Sequence, residues 1–327
     1  MTGTLAQVDY DRCKQIAEVL KDAAMPSPKE DTELPASLSK TQAGNLLLLQ
    51  VAICHQTQTL SGTVDGRNCR GWDYLTRSSA KATGANPSLV DPQAWAIFTQ
   101  EHLSQLLGSA GISQPLERIE LVKNLGEVMI SNGWRWADEI HRASMELLQG
   151  LDQPGVLSRL RSFKAYADPI GKKSHFFLGL MKAAGLWSYG DEEHLLPPVD
   201  YHEIRGHLRL GTVLLEPALR EAIERREQVS PESDIAIRQA VLNAIVEISL
   251  FDGVASPMTL HYFFWNIFRT ICTREKPQCT NAQRDLLPER YRFFIQSDDN
   301  SCGFKNVCAS ANKSNPISEH VFLGHWY

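Results

Sequence analysis

Pro197-Pro198-Val199-Asp200-Tyr201-His202-Glu203-Ile204-Arg205 sets one carboxylate at the entrance of a helix. Proline fixes φ and favours an extended approach. The run Tyr201 through Leu210 then has helical spacing, with Ile204, Leu208 and Leu215 as inward positions. Asp200 therefore falls at a helix N-terminus. Two roles stay open for it there, a cap of the first turn or a carboxylate that does chemistry.

Working outward, the surrounding chain reads as helical. Segments 93–108, 115–131 and 134–149 carry apolar residues three or four apart, and 156–166 and 173–185 flank the turn Asp168-Pro169-Ile170-Gly171. Downstream lie 203–226, 234–251 and the aromatic-rich 257–271. Residues 1–24 predict a short amphipathic helix with Cys13, Ile16, Ala17 and Leu20 on one side, and 25–44, with Pro26, Pro28 and Pro35, a linker. The run Leu46-Leu47-Leu48-Leu49 through Ile53 predicts a buried helix ending in His55-Gln56-Thr57-Gln58-Thr59. Gly62, Gly66 and Gly71 mark an irregular segment containing Trp72 and Tyr74. No convincing alternating strand and no internal repeat is present, so the class is all-α. The expected parts are 1–44, a helical lobe 45–204 with a hairpin near 166–174, and a second helical lobe 205–327, which the N-terminal helix joins.

The balance of 33 basic and 38 acidic residues leaves a net charge of −5. Duplex-binding chains are more often basic, so this weighs against nucleic acid, although 158–175 concentrates Arg159, Arg161, Lys164, Lys172 and Lys173 against Asp168. No apolar run approaches a membrane span, and the first residues lack a secretory pattern. Seven cysteines, an odd number, predict reduced thiols and a cytoplasmic location; a monomer is expected.

Four of those cysteines, Cys272, Cys279, Cys302 and Cys308, lie in the tail. Thiolates suit iron–sulfur clusters and zinc. Structural zinc favours shorter spacings, and four unrelated buried thiols also fit the count.

Trp265-Asn266-Ile267-Phe268-Arg269-Thr270-Ile271-Cys272, followed by Thr273-Arg274-Glu275-Lys276-Pro277-Gln278-Cys279, resembles the end of endonuclease III and its relatives. That family continues Cys-x6-Cys with Cys-x2-Cys-x5-Cys. Here the five-residue gap is kept from Cys302 to Cys308, and the two-residue gap is replaced by 280–301. Ile53-Cys54-His55-Gln56-Thr57-Gln58 is similar to the helix end of adenine DNA glycosylases, which places their base-side glutamine on Gln56; their catalytic glutamate falls on Val51 here. Asp168-Pro169-Ile170-Gly171-Lys172-Lys173-Ser174 looks like the family hairpin, with Gly171 on its second glycine and Lys173 on its Schiff-base lysine. Pro169 replaces the first glycine, and proline has no N–H. Val199-Asp200-Tyr201-His202 resembles the family's Val-Asp-Thr-His.

The resemblance to helix-hairpin-helix DNA glycosylases covers roughly 45–60 and 155–310. It implies base excision from DNA, a 4Fe-4S cluster on Cys272, Cys279, Cys302 and Cys308, and catalysis by Asp200 with Lys173. A second likeness is to queuosine salvage enzymes, which hydrolyse a free modified nucleoside or nucleotide. Their Ala-Asp-Tyr-Arg is echoed at Val199-Asp200-Tyr201-His202, and their Gly-Tyr-Trp-Ser-Leu faintly at Gly71-Trp72-Asp73-Tyr74-Leu75.

The residues themselves allow this chemistry. Cleaving an N-glycosidic bond builds positive charge on the sugar, which a carboxylate stabilises or relieves by activating water. An amine such as Lys173 attacks the sugar carbon only if its pKa falls, and Lys172 beside it supplies a second cation. His55 and His202 are candidate hydrogen-bonding groups, and Trp72 and Tyr74 candidate stacking surfaces. Each has an ordinary structural alternative, as does the Lys172-Lys173 pair. Tyr262, Phe263, Phe264, Trp265 and Phe268 read as core. A non-catalytic cluster protein that binds nucleic acid is the third reading.

Overall fold

The computed structural model describes residues 4–26, 34–108, 111–311 and 313–326. The chain divides into two compact units, one of 1–28 with 196–323 and one of 29–195 with 324–327. Part of the expected linker, residues 27–33, lies outside the described residues.

In chain order, the first unit opens with β1 (Ala6–Val8) and α1 (Tyr10–Leu20). Asp9 caps α1 by accepting from Arg12 N, and Cys13, Ile16, Ala17 and Leu20 are buried, as their spacing predicts. The second unit then runs through α2 (Lys40–Ala52), β2 (Ser61–Val64), β3 (Arg67–Arg70) and α3 (Gly71–Ala85). It continues through α4 (Pro92–Ala96), α5 (Gln100–Leu107), α6 (Pro115–Ser131), α7 (Ala137–Ala143), α8 (Val156–Leu160) and α9 (Lys172–Ala183). The first unit resumes with α10 (Tyr201–Leu210), β4 (Val213–Leu215), α11 (Pro217–Glu224), α12 (Pro231–Ser249) and α13 (Pro257–Thr270).

The class is mainly helical, as expected, but two antiparallel pairs depart from the strand-free reading. One is β2 with β3 around Asp65-Gly66, both at positive φ; the other pairs β1 with β4. Both pairs are too short for alternation to register in a sequence. The second one depends on partners about 200 residues apart in the chain. The helix expected over 203–226 is broken at Gly211, whose φ of 84° ends α10 in a left-handed cap. The helix expected over 134–149 shrinks to α7, because Met145 and Glu146 turn to positive φ. The boundary between units falls after Leu195, so Asp200 belongs with the cysteine tail rather than with 45–195.

Each unit has its own core. In the second, α2 is buried along nearly its whole length, its capping box at Ser39 and Gln42. In the first, α12 packs on β1, α1, α10 and α13. Gly206 of α10 lies close against α13, where an added Cβ would overlap the Phe268 ring. Gly206→Ala is therefore expected to separate α10 from α13 and destabilise the first unit by about 1–3 kcal/mol. A denaturant midpoint unchanged by this substitution would mean that the two helices part without loss.

The C-terminal segment is fastened to the first unit by buried ions. Glu319, 2% exposed, takes Arg205 Nη1 at 3.1 Å, Ser318 Oγ at 2.8 Å and the Arg274 guanidinium. Burial opposes its ionisation, but Arg205 and Arg274 outweigh that and hold its carboxyl down to about 2. Next to it, His320 Nε2 meets Asp234 Oδ1 at 2.8 Å, while Arg238 lies on Asp234 Oδ2. Such clusters resist loss of one member, since the survivor becomes an uncompensated buried charge.

Candidate functional site

Asp200 is the N-cap of α10, and its bonds go beyond capping. Its Oδ1 accepts from His202 N at 2.7 Å and Glu203 N at 3.3 Å. Its Oδ2 accepts from the indole Nε1 of Trp265 at 2.9 Å. The first pair follows from the local sequence, since Asp at N-cap and Glu203 three residues on form a capping box. The indole arrives from α13 and is not required by any cap. Three N–H donors and a helix N-terminus all favour the ionised carboxylate. The side chain is half-buried.

Around it, Trp265 lies under the Arg269 guanidinium, 4.7 Å from its ring centre. Trp265 thus leaves the aromatic core to which the stripe assigned it. Tyr262, Phe263, Phe264 and Phe268 are buried as expected. His202 accepts from Arg205 Nη2 on Nδ1 at 2.8 Å, because an arginine can only donate. Burial and Arg205 hold it down to about 4, against the pull of Asp200. Beneath the cap, Glu203 is fully buried against His261 Nδ1 at 2.8 Å, and burial raises its pKa.

Two histidines of this unit carry a pH consequence. His202 and His207 are held by burial at about 4 and about 3, below the ordinary 6.5. The unfolded chain therefore takes up their protons first as pH falls. Stability is complete above about pH 6.5 and is lost toward pH 4, by roughly 1.4 kcal/mol per pH unit per histidine at most. Urea midpoints between pH 7 and 4 should fall, and less steeply in His202→Gln; a level profile overturns this.

The same helix that carries Asp200 grips the cysteine loop. Arg205 donates Nε to Cys272 O at 2.8 Å. Arg209 donates to Cys272 O, Thr273 O, Arg274 O and Ile317 O, and its Nη1 lies 3.3 Å from Cys272 Sγ. Neither arginine stood out in the sequence, because their partners lie some 60 to 110 residues away. Cys272, Cys279, Cys302 and Cys308 together line one cavity of about 30 Å³, walled by Gly206, Leu210, Ile267, Phe268, Ile271 and Phe304. All four are free thiols. Burial pushes Cys302 up to about 12 and Cys308 up to about 11. Among the described residues, no three His, Cys, Asp or Glu side chains are drawn together as for a single metal ion.

In the second unit, Trp72, Phe176 and Lys172 form a half-buried array. The Trp72 and Phe176 ring centres are 5.0 Å apart, and Lys172 Nζ lies 5.0 Å from the Phe176 centre and 3.8 Å from Cys54 Sγ. Phe176 was missed because it sits four residues after Lys172 in what reads as a plain core helix. Tyr74 does not share this array; it is buried, donating to Leu107 O at 2.7 Å, with its ring packed against Gly62 of β2. His55 is wholly buried and neutral, since burial and then Lys173 drive its pKa far down, and neither ring nitrogen has a hydrogen-bond partner. Glu117 Oε2 lies 3.6 Å from its Nε2.

Lys173 is also fully buried, donating to Ala52 O at 2.6 Å, and burial pulls its pKa down to about 7. Gln56 is half-buried with a left-handed backbone. Gly171 takes φ 72° as the N-cap of α9. The hairpin amides around it are already taken. Ile170 N and Lys172 N donate to the Asp168 carboxylate at 3.2 and 2.9 Å, Gly171 N donates to Asp168 O at 2.9 Å, and Pro169 has no N–H.

No protein-family model matches this chain, and no curated protein matches it. No helix among the described residues is long and apolar enough to cross a membrane.

Proposed function

We propose that this protein is an N-glycosidase of the helix-hairpin-helix type, with Asp200 as its catalytic carboxylate. The observation that carries the reading is the bond from Trp265 Nε1 to Asp200 Oδ2, which fixes the carboxylate beyond what a cap needs. In the proposed reaction the bond from the sugar C1′ to the base nitrogen breaks, and its electron pair leaves with the base. Asp200 faces the positive charge that grows at C1′ and takes a proton from the attacking water. The water oxygen bonds to C1′, and the proton taken by Asp200 passes through solvent to the departing base, which leaves neutral and restores the carboxylate.

Of the two substrate classes, the geometry favours a free modified nucleoside or nucleotide over DNA. Hairpins of this type hold a DNA phosphate on backbone amides. Here the Asp168 carboxylate occupies those amides and would repel a phosphate. The net charge of −5 points the same way. DNA remains the second reading, on the strength of the cysteine-tail resemblance.

The cysteine cavity suits a 4Fe-4S cluster. Its donors are four thiols that line one cavity together with apolar side chains, and Arg209 lies beside Cys272. Cys272, Cys279, Cys302 and Cys308 would hold it. When bound, it would cross-link the two ends of the loop 272–308 beside α10 and α13, a folding contribution rather than a reaction step.

The test is base release read by mass spectrometry. One pool holds duplex and single-stranded DNA with varied modified bases; the other holds the matching free nucleosides and nucleotides. Release from the free pool is expected. Release from DNA alone would reverse the substrate class, and silence in both would favour a binding protein over an enzyme.

A further inference from the structure

The turn after α2 is strained at one residue. Gln56 has φ 45° and ψ 50°, a left-handed conformation that side chains disfavour. The carbonyls leading into it lack helical partners, because they lie at or beyond the helix end. Two wholly buried cations take them over. Arg118 donates Nη1 to Ile53 O, Nη2 to His55 O at 2.6 Å and to Gln56 O at 3.5 Å, and Nε to Ser113 O at 2.9 Å. Ser113 Oγ, itself 3.2 Å from Arg118 Nη2, donates to Gln56 O at 2.9 Å. Lys173 takes the carbonyl just before these, Ala52 O, at 2.6 Å. The negative end of the α2 dipole suits both cations, and the Glu117 carboxylate also favours their charged forms.

We infer that Lys173 and Arg118 are paired positioning residues, which clamp the C-terminal carbonyls of α2 and so hold Gln56 in its left-handed conformation, and that Lys173 is not an amine nucleophile. A nucleophilic amine must bring its lone pair to a substrate carbon. Lys173 is 0% exposed and its Nζ is committed to Ala52 O. A lowered pKa suits an imine-forming lysine too, but a neutral amine still donates, so the clamp survives either charge state. Lys172, one residue earlier, is the partly open lysine of the pair. The clamp thereby orders Cys54, His55 and Gln56 as one rigid step between α2 and the β2–β3 hairpin.

Two measurements test the clamp without any assumption about the reaction. In Lys173→Met and Arg118→Met, the peptide 53–60 should exchange amide hydrogens roughly tenfold faster, with α12 unchanged; unchanged exchange at 53–60 overturns the clamp. Where these variants do not fold, Gln56→Gly serves: glycine adopts the left-handed region freely, so its unfolding midpoint should rise, and a fall overturns the strain. Reductive labelling with ribose 5-phosphate and cyanoborohydride, mapped by peptide mass, should modify Lys172 before Lys173; Lys173 labelling first overturns its exclusion as a nucleophile. The consequence for turnover rests on the glycosidase reading. On whichever substrate releases base, Lys173→Met and Gln56→Ala should lower kcat with KM little changed, and the double variant should be no slower than the slower single. Additive losses overturn that consequence, whereas absence of base release in the native chain counts against the glycosidase alone, since exchange and labelling still decide the clamp.

Discussion

Asp200→Asn is expected to lose base release by about a thousandfold or more, the scale on which a positioned acid–base group acts, while the protein stays folded. Asparagine is as good an N-cap as aspartate, so the bonds from His202 N and Glu203 N to Oδ1 can persist. What disappears is the negative charge. Its loss also sets an amide N–H against the Trp265 indole where a carboxylate oxygen stood. Trp265→Phe separates the two effects: the charge remains and one donor goes, so the rate should fall far less than in Asp200→Asn. Rates are to be taken on the substrate found in the base-release screen, with unfolding midpoints alongside. Full activity in Asp200→Asn would reduce the residue to a cap. Equal losses in both variants would make positioning, not charge, its contribution.

Iron content is the second large effect. The purified protein should carry about four iron and four sulfide per chain, and Cys302→Ala should remove them. With them should go more than about 3 kcal/mol of stability in the first unit, because a structural metal centre contributes its binding energy to folding. Cys302 is the informative position. Burial pushes its thiol up to about 12, so as a free thiol it is protonated, and only a metal centre would draw it to the thiolate. Cys69→Ala in β3 is the control, as Cys69 does not line that cavity. An iron-free native protein of unchanged stability and activity would leave the four thiols as plain packing groups.

The helices were legible where a local pattern carries them. The buried face of α1, the apolar run of α2 and the cap at Asp200 all follow from spacing and side-chain type within a few residues. The strand pairs were not, since β1 finds β4 only after the chain has folded back. The interrupted helix 203–226 was misread for a related reason: apolar periodicity runs on through Gly211, and only φ reveals the stop.

The candidate site divides in the same way. From the sequence alone came the residue types and their order: a carboxylate behind two prolines, a lysine after a tight turn, four cysteines with two of the expected spacings. Tertiary structure decided what each touches. It took Trp265 out of the aromatic stripe and put its indole on Asp200, set Lys173 on a carbonyl, and filled the hairpin amides with Asp168. It also brought Cys302 and Cys308 to the cavity lined by Cys272 and Cys279 across the long loop 280–301. The physical reason is range. Propensity, capping and periodicity act over three or four residues, whereas hydrogen bonds to buried groups select partners by proximity in space, and proximity exists only once the core has closed.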